Sequence, residues 1–441
     1  MIRKRINIVV VIVVAMSIIF AACAQQPTPV VAPATVDAVN TPEATEAPPL
    51  ATDKAPVGKQ IVRQWEYSAD PNAIAISQQM VEKFNAQSDT IEIRLELIPR
   101  DVVRQKLMAA IEAGDPPDLV RFDLPWTPEF ASAGKLEDLT EKVTAWGQID
   151  DFYPARLETV KYDDKYYGIP SNSNNLGLVY NKAMIDAAGI TEAPKTWAEL
   201  KDYAKKLTVT KGGTIDVAGL IFGGKKNETI PFHFLPWLWQ AGGEVNAINS
   251  QAGVKALDEW KSYIADGIMP EGMLSWGNAE LRQQFEAGKA AMMINGSGHV
   301  AAVAKNAPDL KFGIWLLPCD VNCASVIGGE DWVIPKGAHG KDAAWEVLKY
   351  YSSPEIHEWW CTNTNTLPSR ISVGKADFFT SNPVLKVYVE QNDVAKPRPV
   401  TPRYAEISSI IQVAVQSVLT NQSTTQAALD EAQKAISEIL K

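Results

Sequence analysis

The residues of this 441-residue chain that invite chemistry are aromatic side chains beside carboxylates and amides. Trp65 and Tyr67 close one apolar segment, Asp123 and Trp126 follow another, and Asn172 and Asn174 stand in the polar run Ser171–Asn175. Phe234 with Trp237, then Trp276, His299, and Glu330 with Trp332 extend the set. A flat ring offers an apolar face, and a neighbouring Asp, Glu or Asn offers directed hydrogen bonds. That combination suits a solute with C–H faces and a belt of hydroxyls. Bond-making chemistry has weaker support. There is no G-x-S-x-G elbow, no H-E-x-x-H zinc helix and no Walker loop. His233, His299, His339 and His357 are scattered without ligand spacing. Carboxylates are plentiful, so a glycosidase pair stays open as an alternative. No metal, no cofactor and no enzymatic activity are expected.

The elements that must position these residues follow from periodicity. Residues 60–67 predict a strand, and Ile76, Met80 and Phe84 recur at helical spacing after a start at Asp70-Pro71. Ile91, Ile93, Leu95 and Leu97 alternate with polar residues as a strand does. Val103, Leu107, Ala110 and Ile111 predict a helix stopped by Gly114, and 118–122 a third strand. The order βαβαβ implies a parallel sheet with covering helices. Thr196–Glu199 reads as a capping box opening a helix through Leu207, and Ser423–Gln426 as another. Ser353-Pro354 starts a helix, and Ile407, Ile410, Ile411, Ala414 and Val418 share one helical face. Trp197, Trp260 and Trp345 fall inside such patterns and read as core. Ligands of open α/β sheets bind beyond the carboxyl ends of strands, where Tyr67, Asp123 and the 171–175 run fall.

Cys319 and Cys323 flank a three-residue loop, which favours a local disulfide over a zinc site lacking further ligands; Cys361 is left as a buried thiol. At the amino terminus, Arg3, Lys4 and Arg5 precede an apolar run of about 15 residues, short of the roughly 20 that span a bilayer. Phe20-Ala21-Ala22-Cys23 ends it, which reads as an export signal (residues 1–22) with Cys23 as the lipidated residue. Residues 23–58 are rich in Pro, Ala and Thr and read as a tether. The chain carries −10; without the three basic residues of the signal it would carry −13, a poor match for nucleic acid.

Several strings then carry a resemblance. They are Ala113-Gly114-Asp115-Pro116-Pro117-Asp118-Leu119, Gly134–Leu139, Tyr167-Gly168-Ile169-Pro170 and Leu178-Val179-Tyr180-Asn181-Lys182. Pro194–Leu200, Phe285–Met292 and Leu367-Pro368-Ser369-Arg370 follow in order. Together they resemble the family 1 extracellular solute-binding proteins of ABC importers, the group that includes maltose-binding protein. The resemblance implies a type II periplasmic-binding-protein-like α/β fold of two lobes, each a sheet flanked by helices. It implies an N-terminal lobe of 59–171 plus 327–366 and a C-terminal lobe of 172–326 plus 367–441. Crossings fall near 171–175, 325–330 and 365–370, with Gly328-Gly329 in the second. A sugar would bind in the cleft, contacted by the residues named above, and a monomer would hand it to permease subunits from the outer face of the membrane. Arg370 is either a contact or a structural ion pair. Polyol phosphate and polyamine ligands, a surface glycan-processing enzyme and an adhesion role are the alternatives. The predicted loops are not Arg-rich, which disfavours phosphate.

Overall fold

The computed structural model describes residues 58–67 and 71–441. The export segment, Cys23, the tether up to residue 57 and the Asp70 start signal lie outside these residues. Ten strands position the site: β1 (Gln60–Glu66), β2 (Ile91–Leu97), β3 (Leu119–Asp123), β4 (Gly168–Pro170), β5 (Leu176–Asn181), β6 (Met292–Gly296), β7 (Phe312–Trp315), β8 (Ser325–Ile327), β9 (Glu330–Val333) and β10 (Ala395–Pro397).

The first sheet has the order β2-β1-β3-β9-β4. Helices Pro71–Gln87 and Arg100–Glu112 make the two crossovers, so β1 runs parallel to β2 and to β3, as the βαβαβ pattern requires. The sheet departs from the all-parallel expectation at β9, which lies antiparallel to both β3 and β4. β9 reaches the sheet only after the chain has left it at β4 and formed the second sheet, and it re-enters running the opposite way. The second sheet, β6-β5-β7, is antiparallel throughout. Residues 218–221 lie parallel beside β6 through bridges at Ala218–Ala290 and Ile221–Met293.

Helix starts follow local chemistry. Thr196 accepts from Glu199 N at 3.2 Å, while the Glu199 carboxylate takes Lys195 N rather than Thr196 N. The last helix, Thr425–Ile439, starts one residue later than the Ser423 reading: Thr424 accepts from Ala427 N at 3.3 Å. Trp197, Trp260 and Trp345 are buried.

The chain passes between the sheets at three places, and these segments are stitched side by side. Ser173 N donates to Leu367 O at 2.7 Å and Asn174 N to Gly328 O at 3.1 Å, both with return bonds. β8 pairs in parallel with β10 next to them. Gly329 sits here at φ +132°, and a Cβ on it would stand 2.5 Å from Asn172 O. Only glycine fits that conformation and that approach.

Cys319 and Cys323 form a disulfide, and Cys361 is a buried free thiol whose Sγ lies 3.7 Å from Leu367 O. Among the described residues no helix is long and apolar enough to cross a membrane, and no group of three or more His, Cys, Asp or Glu is set to hold a metal ion.

Candidate functional site

The carboxyl ends of β1 and β3 and the start of β9 converge where the crossing segments meet. Their side chains form a buried charged web. Arg121, on β3, donates to Glu330 at 2.9 Å and to Ser171 Oγ at 3.0 Å, and stands 3.9 Å from Glu66. Glu66 accepts from Gln64 at 2.6 Å and from Ser77 at 2.9 Å. Behind them Arg156, with no exposed side-chain surface, donates to Asp331 at 2.7 Å, to Glu330 O at 2.8 Å and to Asn172 O at 2.9 Å. Thr127 completes the shell of Asp331 at 2.8 Å. Buried charges persist only when paired and hydrogen-bonded this fully.

Burial and pairing pull these acids in different directions. Burial pushes Asp331 up to about 6 in spite of Arg156 and Thr127. Burial also raises Glu66 and Asp123, only partly offset by Arg121 and by Arg398 with Arg100. Glu330 goes the other way: burial would raise it, but Arg121, the Asn172 hydrogen bond and Arg100 together hold it below its ordinary value.

The upper rim of the first lobe is aromatic. Tyr67 lies 6.1 Å from Trp126 between ring centres, its hydroxyl is 3.5 Å from Glu330, and Arg100 sits 5.1 Å over its ring. Arg100 also pairs with Asp123. The second lobe contributes Glu228, Phe232 and Tyr404. Glu228 accepts from Ser408 at 2.7 Å and from the Tyr404 hydroxyl. Phe232 and Asn174 close on Gly328, where a Cβ would stand 2.4 Å from Asn174 Oδ1 and 3.1 Å from Phe232. Arg398 joins the two lobes: it donates to Glu228 at 2.7 Å, and its other nitrogen is 3.6 Å from Asp123.

The residues singled out from sequence divide accordingly. Tyr67, Asp123, Trp126, Asn172, Asn174 and Glu330 are brought together at this junction, with Asn172 Oδ1 accepting from Glu330 N at 2.9 Å. Phe234, Trp237 and Trp332 are not available. Phe234 packs edge-on to Trp260, Trp237 packs on Trp197 and Phe222, and Trp332 is covered by Tyr351. The helix Thr229–Gln240 is buried almost all round, so its rings other than the half-buried Phe232 belong to the core. Trp65 is 8% exposed and covered by Lys106, 4.5 Å over its ring. The Trp276 ring lies over Gly272 in its own turn. His299 is half-buried near His233, and burial then Arg282 lower it to about 4. Arg370 is a structural ion pair, donating to Asp151 at 2.6 Å and to Ser352 O at 2.7 Å.

Arg100, Arg121, Glu228, Phe232, Arg398 and Tyr404 escaped the sequence reading. The predicted loops are not Arg-rich, yet three arginines meet here: Arg100 from a helix start, Arg121 from β3 and Arg398 from just past β10. A cavity of about 840 Å³ lies elsewhere, lined by Tyr153, Glu158, Trp239, Glu244, Lys396 and Leu440 among others. It shares only Arg398 with the charged junction.

Residues 79–387 match the family of bacterial extracellular solute-binding proteins. The chain belongs to this family. A maltotriose-binding protein of Pyrococcus abyssi is 26% identical over 384 residues, 83% of this chain and 79% of its own length. An ABC transporter solute-binding protein of Thermotoga lettingae, solved with α-D-tagatose, superposes with a TM-score of 0.76 at 28% identity, covering 87% of this chain and 100% of that one. A cyclic α-maltosyl-1,6-maltose-binding protein of Arthrobacter globiformis gives 0.77 at 27% identity, covering 87% and 100%. These likenesses establish the two-lobe type II fold, and members of the family act as binding proteins.

Proposed function

We propose that this solute-binding protein captures a carbohydrate between its lobes and delivers it to the membrane subunits of an ABC importer. The observation that carries the reading is the junction itself. Trp126 on one lobe and Phe232 on the other keep part of their rings uncovered, with Tyr67 and Tyr404 packed behind them, while the half-buried Asp123, Asn174, Glu228 and Glu330 offer hydrogen-bonding groups directed by their own partners. A solute touching both lobes favours the closed arrangement, which is the shape a permease would read. Sugar-binding relatives that span nearly the whole chain support the same class. The N-terminal reading completes the proposal: export, acylation at Cys23 and a tether would hold a monomer at the outer membrane face.

The test is a thermal-shift and calorimetric screen of residues 59–441 against mono- and oligosaccharides, polyols and polyamines. A ligand at a hundredfold excess over Kd stabilises the native state by roughly 2.7 kcal/mol, a shift of several degrees. Stabilisation by a saccharide, with that sugar recovered unchanged, is the expected result. Turnover of the glycan, or stabilisation by non-sugar solutes only, would overturn it. For the anchor, labelled palmitate should enter the wild-type chain and not the Cys23→Ala variant.

A further inference from the structure

We propose that Arg398 is a specificity-determining residue that closes the cleft to cationic solutes, by placing its own guanidinium where a ligand's guanidinium or ammonium group would otherwise sit. The inference rests on the solute-binding reading of the junction.

The surroundings of Arg398 are those of a cation site. Two carboxylates from opposite lobes face it, Glu228 at 2.7 Å and Asp123 at 3.6 Å. Two rings flank it, Phe232 and Tyr404, each with its centre 5.5 Å from the guanidinium carbon. Carboxylates plus aromatic faces are what recognise organic cations. The cage does not depend on its occupant. Glu228 is held independently by Ser408 and by Tyr404, and Asp123 by Arg100 at the end of β3.

Arg398 itself is only 5% exposed, and its Nε is buried without a hydrogen-bond partner among the described residues. A residue recruited solely to staple the fold would be expected to satisfy that donor. The backbone explains how it arrives: β10 ends at Pro397, and Pro399 restricts Arg398 to an extended conformation. Around the junction Glu66, Asp123, Glu228 and Glu330 face Arg100, Arg121 and Arg398. Removing Arg398 therefore leaves Glu228 without a cationic partner, between two rings and beside Asp123, which keeps only Arg100. With Arg398 present, every acid has a cationic neighbour, and a neutral polyhydroxyl solute meets no unpaired charge.

The experiment measures agmatine and spermidine binding by calorimetry on the full chain and on Arg398→Ala, Arg398→Gln, Arg398→Lys and Arg398→Ala/Glu228→Gln, each checked first for cooperative melting. Wild type and Arg398→Lys should bind neither amine measurably. Arg398→Ala should gain at least tenfold in affinity for agmatine, weakening as salt rises, and Glu228→Gln should abolish the gain. Arg398→Gln carries the test if the alanine variant does not fold. Amine binding by wild type, or no gain in whichever of the Ala and Gln variants is folded, overturns the proposal. Because the readout is amine binding, a wild type that binds no saccharide would sink the carbohydrate reading and leave the role of Arg398 to be decided on its own result.

Discussion

On the side of the five-stranded sheet, the layer beneath the junction is ionic: Glu66, Arg121, Glu330, Asp331 and Arg156 share one hydrogen-bonded web. Across from it, the helix Thr229–Gln240 is backed through its own Trp237 by Phe222, Trp260 and Tyr263, a cluster with ring centres 4.6 to 6.0 Å apart. An ionic layer fixes directions, because each hydrogen bond has one geometry. An aromatic layer fixes position and volume but leaves its outer face free to carry whatever residue the cleft needs. The first lobe thus supplies oriented polar groups, and the second a rigid platform that presents Glu228 and Phe232.

That contrast can be broken at its strongest point by Arg156→Leu. It strands Asp331 and removes four side-chain hydrogen bonds. The expected cost is about 3–5 kcal/mol in denaturant unfolding; a loss below about 1 kcal/mol would mean the web does not act as a unit.

The two layers should also answer acid with opposite signs. His233 is lowered by burial to about 4, so between pH 6.5 and 4 the unfolded chain takes up the proton first and stability is lost as pH falls. Asp331 is raised to about 6, so between pH 6 and 4 the folded chain takes up the proton first and stability is gained as pH falls. Melting temperatures across this window should therefore drop faster in wild type than in His233→Gln. They should drop more slowly in wild type than in Asp331→Asn. Either slope reversed would break the comparison.

A smaller effect sharpens it. The Cys319–Cys323 loop is tied to the end of the aromatic helix, with Asn322 N donating to Gln240 O at 2.9 Å. Replacing both cysteines by serine should cost about 2 kcal/mol, since the closed loop is short. Smallest of all, Phe234→Leu should cost about 1 kcal/mol and leave saccharide affinity unchanged. Trp126→Ala, at the rim, should do the reverse: little change in melting and at least tenfold weaker binding.

The elements were legible in the chain because their periods are strong: Ile91–Leu97 alternates cleanly, and Thr196 announces its helix. The polar residues at strand ends, Asp123, Asn172 and Glu330, were legible for the same reason, since topology sends strand ends to the cleft. The aromatic residues misled. Phe234 and Trp237 look like a platform in a row of letters, yet the helix that carries them is buried along nearly its whole length, and only Phe232 keeps part of its ring uncovered. Arg121, Arg398 and Glu228 were illegible because each takes its meaning from partners remote in sequence, such as Tyr404 for Glu228, 176 positions away.

The insertion of β9 between β3 and β4 bears on how the chain comes to be folded at all. Arg121 waits for a partner 209 positions further on, so the first sheet keeps an open slot until most of the polypeptide exists. Pairings of such long range slow folding, and until β9 arrives the exposed side of β3 is an unpaired edge of the kind that invites misassociation. A chain built this way gains by staying unfolded until its last third is available. Delivery in one extended piece, followed by folding on the far side, suits that order of events.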